Sequence, residues 1–259
     1  MRRHNYAHHP CRLPYTLLHS GNGHILPYGE KFTLLYTPAA PAEHILYLIH
    51  GGGGDQHDFF TPEFLSMIDH MIADSLMKPL YIVSPTYYDP DETDKSPASS
   101  GIAVAKFCKE LREQIIPLVE GTIGKTFTRN DRAISGFSMG GVTTWYAVLQ
   151  ALDLFYWFLP LSGDCWALGD KCGGQYPEKT AELLAEAVAR QGSPDFRIHA
   201  ITGDKDIAFP NLDPQIRAMQ KNTAVFGHTL RYDVLEGGVH NYETIFRYLY
   251  NALPEVFES

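Results

Sequence analysis

The sequence predicts an α/β protein: a mostly parallel central sheet with helices on both faces. Three observations predict it. Short apolar runs alternate with segments of helical spacing from about residue 31 onward. Glycine-rich turns follow several of those runs. The segment 132–142, RAISGFSMGGV, places a strand, a sharp turn and a helix in immediate succession. Parallel strands joined through helices collect functional groups at their carboxyl ends, so the glycine-rich turns are where chemistry is expected.

No composition break divides the 259 residues, and 44% apolar content supports a substantial core. The chain is therefore read as one domain over 1–259, with 1–30 an irregular N-terminal extension. The net charge is −9 and the basic residues are scattered, which argues against nucleic acid or an anionic membrane surface as partner, and against a polyanionic substrate. No apolar run has the length of a membrane span, and residues 1–18 lack the apolar stretch of a signal peptide. Two locations fit: the cytoplasm, or outside the cell after removal of a leader. The four cysteines are too few for a disulfide scaffold; Cys165 and Cys172 are spaced to bridge a loop, while Cys108 reads as a small buried apolar residue. His4, His8 and His9 lie close to Cys11, but a solvated start is favoured over a metal site, and no metal or organic cofactor is expected.

Within the extension, a short strand is expected near 15–18. Residues 31–36 read as a strand, 37–41 as a turn, and 45–49 as a continuous apolar strand buried on both faces. Apolar spacing predicts a helix over 62–77, and 80–83 a second buried strand. Residues 89–100, DPDETDKSPASS, read as a polar surface loop, followed by a helix over 103–119 with Pro117 near its last turn. After the central segment come a strand at 155–161, a glycine-rich excursion to Pro177, a helix at 178–190, a strand at 197–202 and a helix at 214–226. The last strand is 229–235 and the last helix 242–253.

Gly136-Phe137-Ser138-Met139-Gly140 matches GxSxG, a turn so tight that the flanking positions must lack side chains. Its serine is a weak nucleophile until a histidine takes its proton and a carboxylate orients that histidine. In this kind of fold the carboxylate and then the histidine follow the serine in the chain. Three histidines do: His199 lies within a strand, His228 precedes one, and His240 follows one through Gly237-Gly238. His240 is the candidate base. The preceding loop, Gly203-Asp204-Lys205-Asp206, offers two acids; Asp204 suits a turn-capping role, so Asp206 is preferred. Upstream, His50-Gly51-Gly52-Gly53-Gly54 ends a strand with bare amides and lacks the lysine of a phosphate loop. It fits an oxyanion donor, with Met139 supplying the second N–H. Trp166, Tyr87 and Tyr88 sit on loops after strands and are candidate substrate-binding walls, with core packing as the alternative for each.

Four blocks, LYLIHGGGG at 46–54, SGFSMGG at 135–141, GDKD at 203–206 and GGVH at 237–240, together resemble the esterase-D-like branch of the α/β-hydrolases. Within that branch the chain is similar to carbohydrate esterase family 1, which comprises feruloyl and acetyl xylan esterases, including modules attached to xylanases. The resemblance runs from about residue 30 to 253. It implies an α/β-hydrolase fold, with Ser138 as nucleophile, His240 as base, Asp206 as orienting acid, and Gly52 and Met139 as oxyanion donors. Gly52 stands where relatives often carry a bulkier residue, which leaves Gly53 open as the donor. The implied activity is hydrolysis of feruloyl esters on arabinoxylan, with no cofactor. The alternatives are an esterase for acetylated xylan or another small acyl group, and a catalytically silent α/β-hydrolase that binds carbohydrate. Such a substrate favours a location outside the cell; oligomeric state stays open.

Overall fold

The computed structural model describes residues 22–258, so the expected strand near 15–18 and the His4, His8, His9 and Cys11 group lie outside the described residues. The order of elements is β1 (Asn22–Tyr28), β2 (Lys31–Thr37), β3 (His44–Ile49), α1 (Pro62–Ala73), β4 (Leu80–Ser84), α2 (Pro97–Glu110), α3 (Ile116–Ile123), β5 (Arg132–Phe137), α4 (Met139–Gln150), β6 (Trp157–Leu161), α5 (Cys172–Gln175), α6 (Pro177–Arg190), β7 (Arg197–Gly203), α7 (Phe209–Lys221), α8 (Thr223–Phe226), β8 (Leu230–Leu235) and α9 (Tyr242–Ala252). The strands form one sheet in the order β1-β2-β4-β3-β5-β6-β7-β8. β1, β2 and β4 pair antiparallel and β4 through β8 run parallel.

The period-two alternation of β3 divides the core between two layers. Ile45, Tyr47 and Ile49 enter the cluster under α2, α4 and α6, while Leu46 and Leu48 enter the cluster under α1 and α9. β5 beside it is buried at every position.

Several expectations are corrected. Residues 22–28 of the supposedly irregular extension form an edge strand, closed onto β2 by a two-residue turn with Gly29 at φ 57°. Gly23 and Pro27 obscure its alternation, and Pro27 is tolerated because an edge strand needs only one row of hydrogen bonds. α1 ends at Ala73 rather than 77, because Ser75 turns left-handed at φ 56°; Leu76 and Met77 still pack into the same cluster, which is why the apolar spacing runs on. α2 begins at Pro97, capped by Ser96, whose Oγ accepts from Ser99 N at 3.3 Å, so the end of the polar loop is a first helical turn. A wide π turn at Leu111–Ile115 precedes Pro117 and absorbs its missing N–H, splitting the expected single helix in two. α7 starts at Phe209, ahead of Pro214, which forfeits only the bond to the Pro210 carbonyl in the first turn. No described helix is long and apolar enough to cross a membrane.

Candidate active site

Ser138 stands between the end of β5 and the start of α4 with φ 56° and ψ −114°, a conformation costly for a residue with a Cβ. Packing enforces it. A Cβ on Gly140 would lie 2.1 Å from the Ile49 carbonyl oxygen, and one on Gly136 would lie 2.5 Å from the Gly140 carbonyl. Only glycine lets the elbow sit this close to β3. The backbone of Ser138 is pinned on both sides: its N–H donates to Leu161 O at 2.9 Å and its carbonyl accepts from Val142 N at 2.9 Å.

His240 reaches Ser138 from the loop between β8 and α9. Its Nε2 lies 3.0 Å from Ser138 Oγ and its Nδ1 2.7 Å from Asp206 Oδ1. The two supporting loops touch: a Cβ on Gly203 would lie 2.2 Å from Gly238 O, and Lys205 N donates to that carbonyl at 3.1 Å. Asp206 is buried with a full set of donors, Ala208 N at 2.8 Å on Oδ1 and Ser162 Oγ at 2.7 Å on Oδ2. Asp204 instead accepts Gly237 N at 2.7 Å and caps the neighbouring turn. Of the other late histidines, His199 pairs with Asp233 at 2.8 Å across β7 and β8, and His228 lies 3.9 Å from Asp195.

The glycine loop after β3 holds its amides in different ways. Gly51 N donates to Tyr242 Oη at 3.1 Å, Gly53 N to Tyr88 Oη at 3.0 Å, and Gly54 N to Gly51 O at 3.2 Å. The N–H of Gly52 has no acceptor among the described residues, and that of Met139 opens α4, where no intrahelical acceptor exists. Gly52 lies against Met139, since a Cβ built on it would be 3.0 Å from Met139 Cγ. Both line the cleft that contains Ser138 and His240.

That cleft has a volume of about 350 Å³. Trp166 lines it, its Nε1 held by Asp164 Oδ1 at 3.0 Å. Asp164 also lines the cleft, is 3% exposed, accepts Gly173 N at 3.0 Å, and has its carboxyl pushed up to about 6 by burial. Tyr87 and Tyr88 are corrected: they are 3% and 4% exposed and lie behind the glycine loop rather than in the cleft wall. Sequence reasoning also misses Ser162, Asp164, Lys95, Lys171 and Ile207. The Ser162-Gly163-Asp164 turn at the end of β6 carries the same signal, polar residues after a buried strand, that marks Asp206. Cys165 and Cys172 are free thiols, with Cys172 Sγ 2.7 Å from Cys165 O. No cluster of three or more metal-binding side chains occurs among the described residues.

A model of the putative esterase family matches residues 31–254. The chain is 33% identical over 255 residues to endo-1,4-beta-xylanase Y of Acetivibrio thermocellus, covering 90% of this chain and 21% of that protein. It is 31% identical over 121 residues to an endo-1,4-beta-xylanase/feruloyl esterase of Xylanibacter ruminicola, covering 46% of this chain and 16% of that protein. It thus spans about a fifth of the length of these relatives. Among solved structures, a serine-to-alanine mutant of the feruloyl esterase module from Clostridium thermocellum, complexed with sinapinate, superposes with a TM-score of 0.75 at 29% identity, covering 92% of this chain and 87% of that one. With its GxSxG elbow built into a mostly parallel sheet, the chain belongs to the putative esterase family, carboxylic ester hydrolases of the α/β-hydrolase fold.

Proposed function

We propose that the protein is a serine esterase that removes feruloyl and related hydroxycinnamoyl groups from plant cell-wall arabinoxylan, a substrate met outside the cell. One observation carries the mechanism: the continuous relay from Asp206 through His240 to Ser138, at 2.7 and 3.0 Å. Asp206 Oδ1 accepts a hydrogen bond from His240 Nδ1–H, which keeps the proton on Nδ1 and leaves Nε2 free to take the proton of Ser138. Ser138 Oγ then bonds to the ester carbonyl carbon, and the amides of Gly52 and Met139 hold the oxyanion. The tetrahedral intermediate collapses as His240 gives its proton to the departing sugar oxygen. Water, deprotonated by the same histidine, releases the acid and restores Ser138.

The acyl group follows from the cleft and the relatives. Its volume and its Trp166, Met139 and Val142 surfaces suit a flat aromatic acid better than acetate alone. The similar solved module binds sinapinate, a hydroxycinnamate. Ser138→Ala is expected to abolish hydrolysis of methyl ferulate with the fold intact by circular dichroism; retained turnover refutes the assignment. Wild type is expected to prefer methyl ferulate to 4-nitrophenyl acetate in kcat/KM. The reverse order identifies a small-acyl esterase.

A further inference from the structure

The hydroxyl of Tyr87 donates to the Gly51 carbonyl at 3.0 Å. That carbonyl and the N–H of Gly52 belong to one peptide unit, which is planar and trans, so the two groups point in opposite directions. Fixing the carbonyl fixes the amide. Three donors converge on Gly51 O: Tyr87 Oη, His50 Nδ1 at 2.7 Å and Gly54 N at 3.2 Å. Because a carbonyl only accepts, Nδ1 of His50 carries a proton. Nε2 is 2.9 Å from Thr86 Oγ1, and burial pushes the ring toward its neutral form, in which Nε2 accepts from that hydroxyl.

This restraint matters because a peptide between two glycines turns over easily, neither residue having a Cβ to obstruct it. Left unheld, the unit also populates the state in which the Gly52 N–H faces away from the cleft. Tyr87 is well placed to prevent that. Its ring is stacked on His50 at 4.4 Å between centroids and packed against Tyr88 at 4.5 Å and Phe107 at 6.2 Å. Burial pushes its phenol far above the usual range, so it stays a donor at any working pH.

We propose that Tyr87 is a positioning residue: its hydroxyl locks the Gly51–Gly52 peptide with the Gly52 N–H turned toward the oxyanion. The inference rests on the proposed role of Gly52 in ester hydrolysis.

Tyr87→Phe keeps the ring and removes only the donor. The expected result is a fall in kcat for methyl ferulate of about tenfold with KM unchanged, because the lost interaction forms only as the oxyanion does. Affinity for an arylboronic acid, which adds to the serine as a tetrahedral mimic, should fall by the same factor, while affinity for ferulate holds. Unchanged kcat and boronate affinity, or a loss confined to KM, overturns the lock. Should Tyr87→Phe fail to fold, Tyr87→Met also removes the donor while a flexible side chain fills the site, and it should show the same loss of kcat and boronate affinity; wild-type kcat in that variant overturns the proposal equally. Turnover by Ser138→Ala sinks the underlying hydrolase reading instead, so the two failures are separable.

Discussion

Asp206 shows how much one side chain's environment restricts its replacement. Oδ1 receives His240 Nδ1 and Ala208 N, so that position must remain an acceptor, whereas Oδ2 faces the hydroxyl of Ser162, which can rotate to accept. Asn fits with its carbonyl toward His240 and its NH2 toward Ser162. Asp206→Asn should therefore fold normally and keep the imidazole tautomer but lose the charge that stabilises the imidazolium. We expect kcat on methyl ferulate to fall by at least about a hundredfold, short of the roughly 10⁴-fold seen where this substitution also reverses the tautomer; near-wild-type turnover contradicts this. Asp164 makes a different prediction. Its carboxyl, near 3.8 in the unfolded chain, is raised to about 6 by burial, so the folded state binds the extra proton between those values. The stability this contributes is present below the unfolded value and lost as pH rises through 6. The stability gap between wild type and Asp164→Asn should thus move in favour of the variant by about 2–3 kcal/mol from roughly pH 4 to pH 7. Urea midpoints at the two pH values test it, and a flat gap contradicts the burial argument.

At the scale of elements, two glycines make opposite predictions. Gly140→Ala forces a methyl within 2.1 Å of the Ile49 carbonyl, backbone against backbone, so α4 must leave β3. A loss above about 3 kcal/mol is expected, read by thermal melting. Gly121, exposed in α3 with nothing within 4 Å of an added Cβ, should gain about 0.5–1 kcal/mol on replacement by Ala. Equal effects at the two positions contradict the close-approach argument. The same contrast explains what is legible in the sequence. β3, β5 and the elbow are readable because their burial on both faces makes continuous apolar runs, and because the close approach forces glycine into a fixed pattern. Ser138, Asp206 and His240 are each picked from loops at strand ends, and the structure brings them within hydrogen-bond distance. What is not legible depends on direction rather than pattern. Tyr87 and Tyr88 follow β4 as pocket residues do, but periodicity says nothing of which way a loop side chain turns, and both turn inward. The start of α7 is hidden because Pro214 reads as a helix beginning, and the start of α2 because Ser96-Pro97 reads as loop.

Over the whole molecule, the site has no framework apart from the sheet. Gly52 follows β3, Ser138 follows β5, Asp206 follows β7 and His240 follows β8, and Ser138 and His240 are 102 residues apart in the chain. β6 joins them: Leu161 O holds the backbone of Ser138, and Ser162 Oγ holds Asp206. Trp145 of α4, fully buried, ties the same junction by donating its Nε1–H to Gly163 O at 2.8 Å. β3, β5 and β7, which deliver three of the four groups, also put buried residues into both apolar layers. The edge strand β8 adds only partly buried ones, and the His240 loop is tied down instead by the buried Ile245, Tyr248 and Leu249 of α9. A site built this way has no low-energy route to local melting that leaves the sheet standing. Loss of methyl ferulate hydrolysis in urea, assayed with substrate well above KM, should coincide with loss of far-UV circular dichroism, the two midpoints agreeing within error. Activity lost in a separate transition at lower urea shows instead that the loops at the strand ends melt as a unit of their own.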